Sequence, residues 1–323
     1  MKDYSSHVGI VGGGIAGLTA GCALRLQGIE TIVFERSEKM SEYGAGISIS
    51  PNGFGLLEKL GIKDSLMDES FSPSRVVMSH LNKEIISMET EVITASRQNL
   101  IKVIHQRYLE LGGEILFNHE CSSLDQGACE ITFSNDKTYK VMHALACDGI
   151  KSTIRKKHFP TTGAPIYSGY SAWRGIGISN LKNIQFILGP RSHIVSYPIN
   201  AQGSTSFVGV VKTKVLNEDS WKSKGTKKEL LEDFQPYDKE TSAMLDSTEE
   251  IYKWGIYTAL WQTIPSFYNH SSLNDISIVA TEGCPLLCIR EMCVRPGRSA
   301  ERFFGTLPGR LSGWWMSGVS LEL

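Results

Sequence analysis

The chain has 323 residues and a formal net charge of −1, with 41% hydrophobic and 21% charged residues, which is typical of a globular protein of one or two domains. The near-zero charge gives no sign of a nucleic-acid or anionic-membrane partner, and no apolar run is long enough to span a bilayer. With no charged-then-apolar leader and seven cysteines that fit a reducing compartment, a cytoplasmic location is expected.

The first predicted element is a strand, tight turn, helix and second strand between His7 and Arg36. Gly12 permits a sharp turn, Gly14 leaves room for a pyrophosphate, and Gly17 lets the helix and strand pack closely. The second strand ends on Glu35, where an acid can accept hydrogen bonds from ribose hydroxyls. This context predicts a dinucleotide site but leaves FAD and NAD as alternatives.

Two further places stand out in the first third of the chain. The glycine-rich stretch from Tyr43 to Gly53 predicts an irregular loop whose backbone passes close to another group. Arg97 lies on the first turn of a helix whose apolar residues repeat at helical spacing. An ordinary surface turn and a solvated arginine are the alternatives at these two places.

A strand ending at Cys147 places Asp148 and Gly149 at its carboxyl end, where ligands of doubly wound sheets collect. Four cations follow, which a turn with a solvated basic face would also explain. The remaining elements are predicted as strands at 74–79, 85–88, 114–117, 128–133, 170–178, 184–188, 193–198, 206–211 and 275–280, a strand or helix at 252–261, and helices at 54–60, 100–111, 227–234 and 239–245.

Three ordered motifs resemble the single-component FAD-dependent aromatic hydroxylases, the group of salicylate, para-hydroxybenzoate and ubiquinone-pathway hydroxylases. They are VGGGIAGLTAGCALRLQGIETIVFER, GAGISISPNGFGLLEKLGI and ACDGIKSTIRK, and SRQNLIKVI, GYSAWRGIG and HIVSYPI add to the likeness. The resemblance covers about residues 7 to 280. It implies an α/β fold, with a Rossmann-like FAD-binding domain and an inserted, mostly antiparallel β-sheet substrate domain.

The resemblance implies a discontinuous FAD-binding domain at 1–72, 96–160 and 270–285, a substrate domain at 73–95 and 161–269, and an atypical tail at 286–323. It also implies roles for single residues. Arg174 would lie near the flavin or pair with an acid. His193 and Tyr197 share one face of a strand, so they are the catalytic candidates, with core packing as the alternative. The implied cofactor-binding residues are Gly12, Gly14, Ile15, Ala16, Gly17, Glu35, Arg36, Gly46, Ile47, Arg97 and Asp148.

The implied reaction uses FAD, with NAD(P)H as co-substrate and O₂ as oxidant. A C4a-hydroperoxyflavin would transfer one oxygen atom to a small aromatic or related ring, and the protein would orient the ring and exclude water. His193 or Tyr197 could take a phenol proton. The resemblance implies no nucleic-acid partner and a monomer or homodimer.

After Ala280 the chain departs from the family pattern. The family's Gly-Asp motif is replaced by Thr281-Glu282-Gly283-Cys284, which suggests an altered gene end. A folded but catalytically impaired FAD-binding remnant, or an FAD oxidase or dehydrogenase, is therefore the alternative to a monooxygenase. The cysteines at 284, 288 and 293 lack a nearby fourth ligand, so no metal site is expected.

Overall fold

The structure is a computed structural model that describes residues 3–40, 46–125, 127–149, 152–158, 166–213, 223–258 and 276–278. The strands are β1 Tyr4–Val11, β2 Thr31–Phe34, β3 Gly46–Ile49, β4 Ser70–Phe71, β5 Arg75–His80, β6 Lys83–Glu89, β7 Ile93–Ser96, β8 Glu114–Leu116, β9 Cys121–Asp125, β10 Glu130–Phe133, β11 Thr138–Ala146, β12 Ile166–Ile178, β13 Ile184–Leu188, β14 Ser192–Pro198, β15 Ser204–Lys212, β16 Tyr252–Thr258 and β17 Ile276–Ile278. The helices are α1 Ile15–Leu26, α2 Pro51–Leu60, α3 Lys63–Met67, α4 Arg97–Glu110, α5 Thr153–His158, α6 Lys227–Asp233 and α7 Lys239–Asp246. No helix in these ranges is long and apolar enough to cross a bilayer.

The described residues form two compact units. Unit 1 takes those of Met1–Ser41, Ile104–Thr162 and Gln262–Glu322, and unit 2 takes those of Glu42–Val103 and Gly163–Trp261. The α/β class expected from the sequence is confirmed, with a parallel sheet in the first unit and a mostly antiparallel sheet in the second. The division into an FAD-binding and a substrate domain stays a prediction.

Unit 1 is built on a sheet in the order β8-β2-β1-β11-β10-β9, with β17 also paired to β11. The pairs β8–β2, β2–β1, β1–β11 and β11–β17 are parallel, and β10 and β9 extend the sheet antiparallel. All four residues of β2 are buried, as expected of a parallel strand covered on both faces. Because parallel strands end at one edge, the turn after β1, the residue after β2 and the residues after β11 come together there.

Unit 2 contains a seven-stranded sheet in the order β16-β12-β15-β14-β13-β5-β6 and a small sheet in the order β3-β7-β4. The large sheet is antiparallel except for the pair β13–β5. Helices α6 and α7 cover one of its faces, where Trp173, Phe207 and Phe234 form the centre of an apolar cluster. The alternating residues of the same strands therefore belong to the opposite face.

The prediction of an irregular loop at 43–53 is wrong for the residues of it that the structure describes, 46–53. Gly46 to Ile49 form β3, which pairs antiparallel with β7, and α2 begins at Pro51 rather than at Phe54. Ser50 is extended and Pro51 occupies the first helical turn, where its missing N–H costs nothing. The stretch after Tyr252, left open as strand or helix, is a strand as far as it is described. Residues 281–323, including the three cysteines there, lie outside the described residues.

Candidate functional site

The turn between β1 and α1, Gly12 to Gly17, is called here the glycine turn, and two of its positions admit only glycine. Gly12 has φ +108°, and a Cβ there would lie 2.2 Å from the carbonyl oxygen of Cys147. A Cβ on Gly17 would lie 1.9 Å from the carbonyl oxygen of Gly12. Both contacts are with backbone, which cannot move aside as a side chain can. These two glycines therefore bring the start of α1 against the ends of β1 and β11.

Gly14 differs from its neighbours because the space beside it is open. It is the extended N-cap of α1, and among the described residues no side chain caps the helix and no other atom lies within 4 Å of where its Cβ would be. Ile15 is buried and Ala16 is half-buried, so these residues offer the site their backbone N–H groups rather than side chains. An uncapped helix start with free space beside it suits an anion.

Glu35 is held directly against the glycine turn. Its Oε2 accepts the Gly13 N–H at 2.7 Å and its Oε1 accepts the Ser37 N–H at 2.8 Å. The carboxylate is therefore fixed in place, and each oxygen keeps a further lone pair that can accept a hydroxyl hydrogen. Its neighbour Arg36 is exposed.

Asp148 lies at the same edge of the sheet. Its backbone nitrogen would be 3.1 Å from a Cβ at Gly12, so the glycine turn has Glu35 on one side and Asp148 on the other. The Asp148 Oδ2 accepts the Thr153 N–H at 2.9 Å and the Ile154 N–H at 3.4 Å, so the carboxylate also holds the first turn of α5. The sequence did not predict this capping contact.

These observations test the fit of the predicted FAD. The open space at Gly14, the uncapped N–H groups of α1 and the fixed Glu35 carboxylate supply anion donors beside a hydroxyl acceptor. A pyrophosphate linked to a ribose needs that combination, so the residues of unit 1 fit this part of FAD.

In unit 2, side chains of the large sheet bind both polar backbone groups of Gly46. Its N–H donates to Ser206 Oγ at 2.9 Å, and its carbonyl oxygen accepts from Arg174 Nη2 at 3.1 Å. Gly46 also pairs with Ser96, the residue before Arg97, so half-buried Arg97 begins α4 beside it. The Ile47 side chain is buried, so only its backbone is available to a ligand.

We call the sheet face that carries His193, Val195 and Tyr197 the Gly46 face, since Gly46 binds to it. Cross-strand pairing places Phe186 and Val208 beside Val195 on this face, and Ser206 beside Tyr197. Sequence reasoning missed Ser206, which lies 160 residues from Gly46 and has no recognisable motif around it.

The structure puts the two catalytic candidates on one face but does not bring them together. His193 and Tyr197 are four residues apart on β14, so their Cα atoms are about 13 Å apart. Tyr197 is buried, and a Cβ on Gly46 would lie 2.7 Å from its ring. His193 is half-buried and stacks on Phe186, with centroids 5.8 Å apart at 13°. Burial lowers the pKa of His193 below its ordinary 6.5, because the charged imidazolium loses water.

Comparison with known proteins gives one family and many relatives. The sequence model of the family described as "FAD binding domain" matches residues 5–263. The 3-amino-4-hydroxybenzoate 2-monooxygenase PtmB3 of Streptomyces platensis is 24% identical over 276 residues, which cover 80% of this chain and 69% of that protein. The 3-hydroxybenzoate 6-hydroxylase of Klebsiella oxytoca is 26% identical over 270 residues, which cover 76% of this chain and 66% of that protein.

Among solved structures, CtdE in complex with FAD and substrate 4 has the same fold, with a TM-score of 0.75 and 18% identity. The match covers 89% of this chain and 78% of CtdE. At that identity the likeness concerns the fold and not the chemistry. The family match and the two hydroxylases point to one class of protein.

Proposed function

Because this chain belongs to the family described as the FAD binding domain, we propose that it hydroxylates a small aromatic or heteroaromatic ring that carries a phenolic hydroxyl. As a member of that family with hydroxylases among its relatives, the chain is an FAD-dependent monooxygenase. The two relatives named above are, by their names, a hydroxylase and a monooxygenase of hydroxylated benzoates, and this supports the substrate class. FAD, when bound, would supply the coupling between oxidation of NAD(P)H and activation of O₂.

The observation that carries the proposal is the glycine turn. Gly12 and Gly17 are fixed by backbone contacts, whereas the part of the chain that the structure describes leaves open space beside Gly14 and no side-chain cap at the start of α1. A turn that served packing alone would not need open space beside its central glycine. We assign the N–H groups of Ile15, Ala16 and Gly17 to the pyrophosphate, where the partial positive charge of the helix start stabilises the phosphate charge.

The remaining cofactor contacts are proposed one residue at a time. Glu35 would accept ribose hydroxyls with the lone pairs that Gly13 and Ser37 leave unused. Arg36, which is exposed, would contribute positive charge to the cofactor phosphates, and Arg97, which is half-buried, would contact the phosphates or the ribityl chain. Asp148 would act through the position of its backbone beside Gly12, since its carboxylate already binds α5.

On the Gly46 face, the backbone of Gly46 and Ile47 is the proposed flavin contact, and His193 and Tyr197 are the proposed ring contacts. Because burial lowers the pKa of His193 below 6.5, the neutral imidazole predominates at pH 7, and its unprotonated ring nitrogen can accept the phenol proton. Removing that proton raises the electron density of the ring, which favours attack on an electrophilic oxygen. The apolar side chains around His193, including Phe186 and Val195, would keep water away.

An absorption spectrum of the purified protein with and without added FAD tests the proposal first. We expect a flavin spectrum, NAD(P)H oxidation, and a hydroxylated product when hydroxybenzoates and hydroxypyridines are supplied. A protein that is colourless once saturating FAD has been added and the unbound FAD removed would contradict the proposal and favour a remnant. NAD(P)H oxidation that yields only hydrogen peroxide with every ring compound would favour an oxidase. The use of NAD(P)H, a monomer or homodimer, and a cytoplasmic location stay predictions.

A further inference from the structure

Gly46 is bound to the Gly46 face by side chains from two different strands. Ser206 on β15 accepts its N–H and Arg174 on β12 donates to its carbonyl oxygen. Ser206 is fully buried, so water does not compete for its hydroxyl. A hydrogen bond between buried groups is costly to lose, because the abandoned partner is left without water or protein to replace it.

The packing at this place is as specific as the hydrogen bonding. A Cβ on Gly46 would lie 2.5 Å from the Ser206 Cβ and 2.7 Å from the Tyr197 ring. Tyr197 and Ser206 are directly opposite each other in the β14–β15 pair, so together they form the surface on which Gly46 rests. The first residue of β3 is therefore fixed in distance by contact and in orientation by two hydrogen bonds.

We propose that Ser206 and Arg174 are positioning residues that fix β3 against the Gly46 face and thereby set where a substrate ring can lie. The inference rests on the proposed function, in which Gly46 and Ile47 contact the flavin. Gly46 covers the Tyr197 end of β14, whereas the His193 end carries the half-buried stack with Phe186. The ring therefore lies towards the His193 end of the face, and Tyr197, besides its proposed contact with the ring, supports Gly46.

The first test compares Ser206→Ala with Ser196→Ala in protein free of cofactor. Ser196 is a matched control, because it is a buried serine on the adjacent strand that alternation places on the opposite face. We expect hydrogen–deuterium exchange of residues 46–49 to become about tenfold faster in Ser206→Ala, since one buried hydrogen bond is lost. Exchange in β1 should not change in either variant. Equal exchange of residues 46–49 in the two variants would overturn the proposal.

The second test uses the FAD-loaded protein and asks what fraction of NAD(P)H oxidation yields hydroxylated product. Ser206→Ala should lower that fraction severalfold and leave the rate of NAD(P)H oxidation within about twofold, a split that general destabilisation would not give. An unchanged fraction would overturn the positioning role. If Ser206→Ala does not fold, Arg174→Gln, which keeps the Ser206 hydroxyl, is measured in the same two ways.

The two tests separate this inference from the proposed function. Faster exchange of residues 46–49 in a protein that binds no FAD would support fixation of β3 by Ser206 and refute the flavin assignment. Normal exchange in a protein that binds FAD and forms product would refute the role of Ser206 and leave the monooxygenase assignment intact.

Discussion

The glycine turn and the Gly46 face position their functional groups in different ways. The glycine turn acts through backbone N–H groups, and its fixed positions are set by contacts between main-chain atoms. The Gly46 face acts through side chains that come from separate strands and meet a glycine 128 and 160 residues away in sequence. The glycine turn should therefore be disrupted by substitutions that add a side chain, whereas the Gly46 face should be disrupted by substitutions that remove side-chain atoms.

The largest effect should come from adding a methyl group to the glycine turn. Gly12→Ala forces a Cβ against the Cys147 carbonyl at a φ of +108°, and we expect the free energy of unfolding to fall by about 3 kcal/mol. Gly14→Ala should cost less than about 1 kcal/mol, because its φ is −73° and the space is open, yet it should weaken FAD binding. Denaturant unfolding and flavin fluorescence titration measure the two effects. Equal loss of stability in both variants would contradict the distinction between the two glycines.

The next largest effect should come from replacing His193, the proposed base on the Gly46 face. His193→Phe keeps an aromatic ring beside Phe186 but removes the nitrogen, and we expect kcat/KM to fall about 100-fold with a phenolic substrate. Because burial lowers the pKa of His193 below 6.5, the neutral imidazole predominates at pH 7, and kcat/KM of the unmodified protein should decline as the pH falls through that lowered pKa.

The control for this prediction is His105→Phe. His105 is also half-buried and burial also lowers its pKa, but it belongs to α4 and is not one of the residues of the Gly46 face. The control should keep the decline of kcat/KM at acid pH, and His193→Phe should lose it. Persistence of that decline in His193→Phe would assign it to another group.

A smaller effect, on FAD affinity, is expected at Glu35, the proposed contact of the adenosine ribose. Glu35→Gln removes the charge and one of the two acceptors for backbone N–H groups, so the Kd for FAD should rise about tenfold. The Kd for FMN, which lacks the adenosine ribose, should not change. Exposed Glu38→Gln is the matched control. An equal loss of affinity for FMN would show that Glu35 supports the turn and does not bind ribose.

The smallest effect should come from Thr19, four residues into α1. Its hydroxyl is buried and has no hydrogen-bond partner among the described residues. Thr19→Val replaces it with a methyl group of similar size, and we expect the free energy of unfolding to rise by about 1 kcal/mol. FAD affinity should stay unchanged, because the proposed FAD contacts of α1 are the backbone N–H groups of its first turn. Weaker FAD binding would mean that this side chain takes part in the site.

The amino-acid sequence by itself determined the glycine turn. Its strand, helix and acid are encoded within about 30 consecutive residues, and the backbone geometry of such a turn allows glycine alone at Gly12 and Gly17. The same local reasoning placed Asp148 at the end of β11, since parallel strands end at one edge. It placed His193 and Tyr197 on one face because strand side chains alternate.

Only the tertiary structure decided what lies beside these residues. The stretch at 46–49 was expected as a loop and is a strand. Its backbone hydrogen-bond partners are β7 and Ser206, and nothing in the local sequence of glycines and serines indicates that pairing. The stack of His193 on Phe186 depends on the register of β13 and β14. Such contacts join residues that are far apart in sequence, so neither local periodicity nor motif spacing carries a signal for them.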